Sequence, residues 1–249
     1  MSTIEIPQAV LDVLADPYAR VVVSTGAGVS AESGVPTFRE ANGLWKNFRP
    51  EEVATPEAFA RDPRMVWEWY EYRRGVIRGV QPNPGHCELA RWERHFGDFT
   101  LITQNVDGLH RQAGSTQPIE LHGNIMTSRC HECRRNVGEV SFQGTGDLPR
   151  CECGGLIRPN VVWFGEQLPA EALEKAWEAA QYAEVFLSVG TSGIVQPAAS
   201  LAHLAKSAGA FLIEVNPEDT EVSYMFDAVL RHPSGIALPA LGRRLGIAE

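Results

Sequence analysis

The sequence runs to 249 residues, enough for one large domain or one domain with a substantial insertion, and its 44% hydrophobic and 21% charged residues are ordinary for a folded globular chain. A formal net charge of -9 argues against direct nucleic-acid binding, which draws on clustered Lys and Arg, and leaves basic protein substrates open. No apolar run approaches the roughly 18 residues of a membrane helix, and Met-Ser-Thr-Ile-Glu-Ile-Pro lacks the pattern of a signal peptide, so no membrane association and a cytoplasmic location with reduced thiols are expected.

In chain order, residues 7 to 18 form a modest amphipathic helix with Val10, Leu11, Val13 and Leu14 on one side. The β-branched run from Arg20 predicts a strand that opens into Gly26-Ala-Gly-Val-Ser-Ala-Glu-Ser-Gly34. Gly26, Gly28 and Ala31 satisfy G-x-G-x-x-[G/A], in which small residues let backbone amides approach a pyrophosphate at a helix start. Pro36 and Gly43 break the segment that follows, so this is a modified nucleotide loop, in which Arg39 is either a cation for the phosphates or a surface side chain. Thr55 and Pro56 signal a helix start for residues 56 to 79. Within it Tyr70 and Arg73 share a face, and either converge on one carboxylate or are a core Tyr and a solvated Arg. Ala54 upstream is small enough to leave room in a pocket, and another helix covers residues 84 to 97, with Cys87 a lone inert thiol.

A short strand through Phe99, Leu101 and Ile102 then delivers Gln104, Asn105 and Asp107 to the carboxyl end of a sheet, where open α/β folds bind ligands. His122, in Leu-His-Gly, is either a general base beside that strand end or a hydrogen-bonded loop histidine. Cys130-His-Glu-Cys133 and Cys151-Glu-Cys153, separated by seventeen residues, match a tetrahedral structural zinc site, with His131 as a possible substitute because the second knuckle is C-x-C. Four cysteines leave no open position, so the metal would fold the insertion and take no part in chemistry. Arg158-Pro-Asn-Val-Val-Trp-Phe-Gly-Glu is either an edge that pairs with a peptide or a plain buried strand. Strands at 185 to 189 and 211 to 215 end in Gly190-Thr-Ser and Asn216-Pro, with helices at 169 to 181 and 197 to 208. Four apolar runs ending in polar turns describe an α/β fold with a Rossmann-like parallel sheet.

Over nearly the whole chain these motifs resemble the sirtuin family of NAD-dependent protein-lysine deacylases. The likeness rests on Gly26 through Arg39, Thr103-Gln-Asn-Val-Asp107, Leu121-His-Gly123, the four cysteines, Val161-Val-Trp-Phe-Gly165 and Gly190-Thr-Ser192, in that order. The resemblance implies a Rossmann-like NAD-binding domain from residues 1-36, 80-125 and 160-249, and a smaller helical and zinc-binding domain from insertions at 37-79 and 126-159. It implies NAD and one structural zinc as cofactors, acylated lysine in proteins as substrate, and nicotinamide and O-acyl-ADP-ribose as products. His122 would be the general base toward the ribose 2′-hydroxyl. Gln104, Asn105 and Asp107 would hold the ribose and nicotinamide, while Ala27, Thr37, Phe38 and Arg39 would form a closing cofactor loop and Thr191, Ser192 and Asn216 would meet the adenosine half. Ala54, Val161, Val162, Phe164 and Gly165 would line the acyl-peptide site. Trp67-Glu-Trp-Tyr-Glu-Tyr-Arg73 is similar to the family branch that removes succinyl and malonyl groups, which favours Tyr70 and Arg73 as the carboxylate pair, with deacetylation alongside. A monomer is expected. The competing readings are a protein ADP-ribosyltransferase, a dehydrogenase and a non-catalytic NAD-sensing module.

Overall fold

The computed structural model describes residues 4-36, 49-142, 144 and 146-248. Thr37, Phe38 and Arg39 of the expected cofactor loop lie outside the described residues. Nine strands are described: β1 (Arg20–Thr25), β2 (Asp98–Thr103), β3 (Ile119–Glu120), β4 (Gly123–Cys130), β5 (Asn136–Gly138), β6 (Ile157–Val161), β7 (Val185–Val189), β8 (Phe211–Val215) and β9 (Ala228–Leu230). Six of them form a parallel sheet in the order β3-β2-β1-β7-β8-β9. The chain steps from β1 to one side and later returns to the other, which makes the carboxyl ends of β1 and β7 the topological switch point where such sheets take ligands.

The sheet is covered on both faces because its strands carry apolar side chains on both. Val21, Val23, Leu187 and Ile213 pack with Trp92, Leu238 and Leu241 from helices Pro84–His95 and Ser234–Leu245. Val22, Phe186 and Leu212 point the other way, against Ala176, Ala180 and Leu201 of helices Ala170–Tyr182 and Ser200–Ser207. The first helix stops at Val13, short of the expected residue 18. The expected single helix over 56 to 79 is two, Pro56–Arg61 and Pro63–Arg78, because Pro63 cannot continue the first while Asp62 caps the second by accepting from Met65 N. Thr55 caps the first by accepting from Ala58 N at 3.1 Å.

A second, antiparallel sheet has the order β5-β4-β6. Its core joins Ile125, Cys130, Cys151, Ile157 and Val161 to Trp67, Trp69 and Tyr70 of helix Pro63–Arg78. Trp67 is wholly buried and donates from Nε1 to Ile157 O at 3.0 Å, so its large apolar surface leaves water without orphaning its polar atom. Arg74 fastens the same helix to β4, donating to Ile125 O, Thr127 O, Ser128 Oγ, Val140 O and Glu71 Oε1. β4 starts at 123 and β6 ends at 161, so these two of the three strands of the small sheet cross the limits of 125 and 160 expected from sequence.

Candidate active site

The glycines after β1 do something other than what their spacing suggests. Gly26 N donates to Val189 O and Gly28 N to Gly190 O, so both amides are engaged with the turn after β7. A Cβ on Gly28 would come within 2.8 Å of Gly190 Cα, and one on Gly190, whose φ is +60°, within 2.5 Å of Val29 N. These residues are small because two strand-end turns interlock at the switch point, a correction to the expected approach of the Gly26 and Gly28 amides to a pyrophosphate. The helix they lead into, Ala27–Ala31, is a bare five residues.

Around that seam the sheet edge assembles the polar groups expected from sequence. Gln104 N donates to Thr25 O and its Nε2 to Thr191 Oγ1, while Asn216 Nδ2 donates to Thr191 O at 3.0 Å. Ser192 lies in the same turn, half-buried. Asn105 Nδ2 donates to Gly26 O and to Ser30 Oγ, and Ser30 Oγ in turn donates to Asp107 Oδ2 at 2.8 Å. Leu109 N donates to the other Asp107 oxygen, yet burial still raises the carboxyl's pKa. Ser30 is also 3.3 Å from His86 Nε2, and His86 Nδ1 accepts from Asn83 N, which fixes a neutral tautomer. Burial holds His86 down to about 4 and its ring neighbour His110 to about 3. Sequence reasoning missed Ser30, His86 and His110. The signal available was modest: a serine inside the glycine loop, and Asn83-Pro84 capping a helix whose third residue is histidine.

His122 stands at the junction of the two sheets. Its Nδ1 lies 2.9 Å from Gln104 O, and a carbonyl only accepts, so Nδ1 carries the proton and Nε2 keeps its lone pair. Burial lowers its pKa, so the basic form persists at neutral pH. Gly123 must follow it, since at φ +77° a Cβ there would lie 2.2 Å from Asn160 O. Residues 161-165 run on from β6, an edge strand of the small sheet. Val162 N donates to His122 O and Phe164 N to Ala54 O, which strings the segment between His122 and the buried Ala54. Val161 is buried, Phe164 is 57% exposed, and Gly165 turns the chain at φ +85°.

Tyr70 and Arg73 are both buried, so the solvated-Arg alternative does not describe this fold. Tyr70 accepts from Trp163 Nε1 at 2.8 Å. The Arg73 guanidinium lies 4.8 Å from the Trp69 ring centroid, its Nε has no hydrogen-bond partner, and among the described residues it makes no ion pair. Burial lowers its pKa, and Tyr70 and Asp107 act in the opposite direction.

Cys130, Cys133, Cys151 and Cys153 bring their four sulfurs within 4.8 Å of one another, with Cys130 to Cys153 at 3.5 Å and Cys133 to Cys151 at 3.8 Å. A tetrahedron with Zn–S bonds of about 2.3 Å has S–S edges of roughly 3.8 Å, so the four thiols fit zinc with no call on His131. Gln104, Asn105, Asp107 and Asn216 offer amide and carboxylate groups suited to ribose hydroxyls, and that donor set fits a dinucleotide at the switch point.

A parallel nucleotide-binding sheet joined to a four-cysteine metal module, with a buried histidine between them, defines the class. The Sir2 family model matches residues 26-197. An NAD-dependent protein deacylase of Aquifex aeolicus is 53% identical over 88% of this chain and 92% of its own length, and one of Ralstonia nicotianae is 49% identical over 94% and 99%. A Sir2 homologue solved with NAD superposes with a TM-score of 0.90 at 42% identity, covering 99% of this chain and 96% of the other. A Sir2 protein bound to acetylated peptide gives 0.86 at 29% identity, covering 98% and 100%. The chain belongs to the Sir2 family.

Proposed function

We propose that the protein removes acyl groups from lysine side chains of proteins in an NAD-dependent reaction, with a preference for acyl chains that end in a carboxylate, such as succinyl and malonyl. The observation that carries the reaction is His122. Its Nδ1–H is pinned by Gln104 O, so Nε2 is the free basic atom where the cofactor crevice meets the 161-165 segment. NAD, when bound, supplies the ribose that receives the acyl group. Nε2 of His122 would take up the proton of a ribose hydroxyl, a role worth typically about 10² to 10⁴ in rate. Asn105 and Asp107, held by Ser30, orient the ribose, and the open edge of β6 with residues 161-165 pairs with the substrate backbone.

The acyl preference is supported by Arg73, a buried cation that lacks a carboxylate partner among the described residues, with Tyr70 on the same helix face. Matched acetyl-lysine and succinyl-lysine peptides, followed by nicotinamide release and peptide mass, test both parts. His122→Ala is expected to lose about 10² to 10⁴ in kcat on either peptide. Arg73→Met is expected to lower succinyl turnover about 10- to 100-fold relative to acetyl, the worth of a charge-assisted hydrogen-bond pair. Turnover of acetyl peptide alone, with no effect of Arg73→Met, refutes the acidic preference and leaves the deacylase standing.

A further inference from the structure

Trp163 sits in the peptide segment, yet its side chain turns inward and is 2% exposed. An indole N–H can only donate, so in the 2.8 Å contact with Tyr70 the phenol oxygen must accept. A phenol has a single proton. With its oxygen committed as acceptor, Tyr70 keeps that proton to donate, and no side chain or backbone group among the described residues accepts it. Accepting a hydrogen bond also polarises an O–H and strengthens it as a donor. Trp163 is itself locked in place: the Arg158 guanidinium lies 3.1 Å from its ring centroid, Phe59 stands 5.3 Å away on another side, and its backbone N donates to Glu166 Oε2 at 2.9 Å. Glu166 also binds Arg158 at 2.8 Å and is shared with Arg129 at 3.1 Å, so one carboxylate fixes both the indole backbone and the guanidinium stacked on its ring.

The geometry points to Trp163 as a specificity-determining positioning residue, whose indole N–H sets the Tyr70 hydroxyl to donate, beside Arg73, to the carboxylate of an acidic acyl chain. This rests on the acidic-acyl reading of Tyr70 and Arg73 given above. It adds that acyl selection and peptide seating are governed by one stretch of backbone, because the residues flanking Trp163 are those tied to His122 and Ala54. A tryptophan retained for volume alone has no need of a nitrogen aimed at a phenol.

The test compares wild type, Trp163→Phe, Tyr70→Phe and the double variant on succinyl-lysine and acetyl-lysine peptides of one sequence, with kcat and KM separated and thermal melts recorded. Phenylalanine keeps a ring under Arg158 and removes the N–H. Trp163→Phe is expected to lower the succinyl-to-acetyl preference about five- to tenfold, carried by KM for the succinyl peptide, as fits the net worth of one hydrogen bond. Because Trp163 acts through Tyr70, the double variant is expected to be no worse in that preference than Tyr70→Phe. Tyr70→Phe removes the hydroxyl itself and keeps every ring in place, so it sets the largest loss of preference that Trp163→Phe can produce, and a larger loss in Trp163→Phe overturns the inference. Equal losses on both peptides, or losses that add in the double variant, overturn the inference and make Trp163 a packing residue. A wild type that consumes succinyl peptide with Trp163→Phe unchanged overturns this inference alone, whereas a wild type that consumes acetyl peptide only removes the acidic-acyl reading and this one with it.

Discussion

At the proposed cofactor end of the crevice, Ser30, His86, Asn105 and Asp107 are buried and hydrogen-bonded to one another; at the proposed acyl end, Arg73 is as deeply buried and its Nε has no partner among the described residues. These four side chains satisfy one another before any ligand arrives and so hold their shape, while Nδ1 of the adjoining His110 is left without a partner among the described residues. Burying a charge without a counter-charge costs on the order of several kcal/mol, and under the acyl preference proposed above a ligand carboxylate would recover part of that cost on binding.

The contrast can be broken first at the metal. Structural zinc contributes on the order of 10 kcal/mol to small modules, and Cys130 and Cys151 share a core with Trp67 and Tyr70. Chelation is expected to loosen the acyl end while the parallel sheet persists, seen as faster hydrogen exchange over 123-163 than over 185-215. Unchanged exchange over 123-163 after metal removal would falsify this link.

A smaller effect separates the two ends directly. Asp107→Ala is expected to cost about 1–3 kcal/mol in urea unfolding, since it strands the Ser30 hydroxyl and the Leu109 amide. Arg73→Met is expected to cost nothing or to stabilise, because it exchanges a buried cation with no ion pair among the described residues for an apolar chain of similar length. Equal losses from the two substitutions erase the difference.

The smallest effect is one of pH. Burial holds His86 to about 4 and His110 to about 3, while in the unfolded chain they take up protons below about 6.5. The unfolded state then binds more protons, so stability falls as pH drops from about 6.5 toward about 4 and is restored as pH rises. A loss on the order of 1 kcal/mol per histidine by pH of about 5.5 is expected from urea midpoints. A flat profile across that window shows that the cofactor end does not keep these imidazoles neutral.

The central strands were legible because β-branched runs ending in polar turns leave few alternatives, and the four cysteines because their spacing already encloses an ion. β3 and β9, two and three residues long, are too short for any alternation to register. Helix Ser234–Leu245 carries Pro239 inside it, which sequence rules discount. Arg73 and Arg74 show the deeper limit. They are consecutive, of one type and on one helix, yet Arg74 turns into the small sheet and donates to five partners, while Arg73 lies over rings with its Nε unpaired. A rotation of about 100° per residue sends them to different surroundings, and those surroundings come from β4 and residue 140, far along the chain.

The interlocked turns at Gly26, Gly28 and Gly190 make the fastener of the sheet and the mouth of the crevice one object. A saturation scan scored by turnover would mark all three as intolerant, and the seam coming undone would account for part of that pattern by itself. Redesign of cofactor choice therefore has its freedom at the rim, at Gln104 and Asn216, whose side chains reach across to Thr191 without holding the two halves of the sheet together.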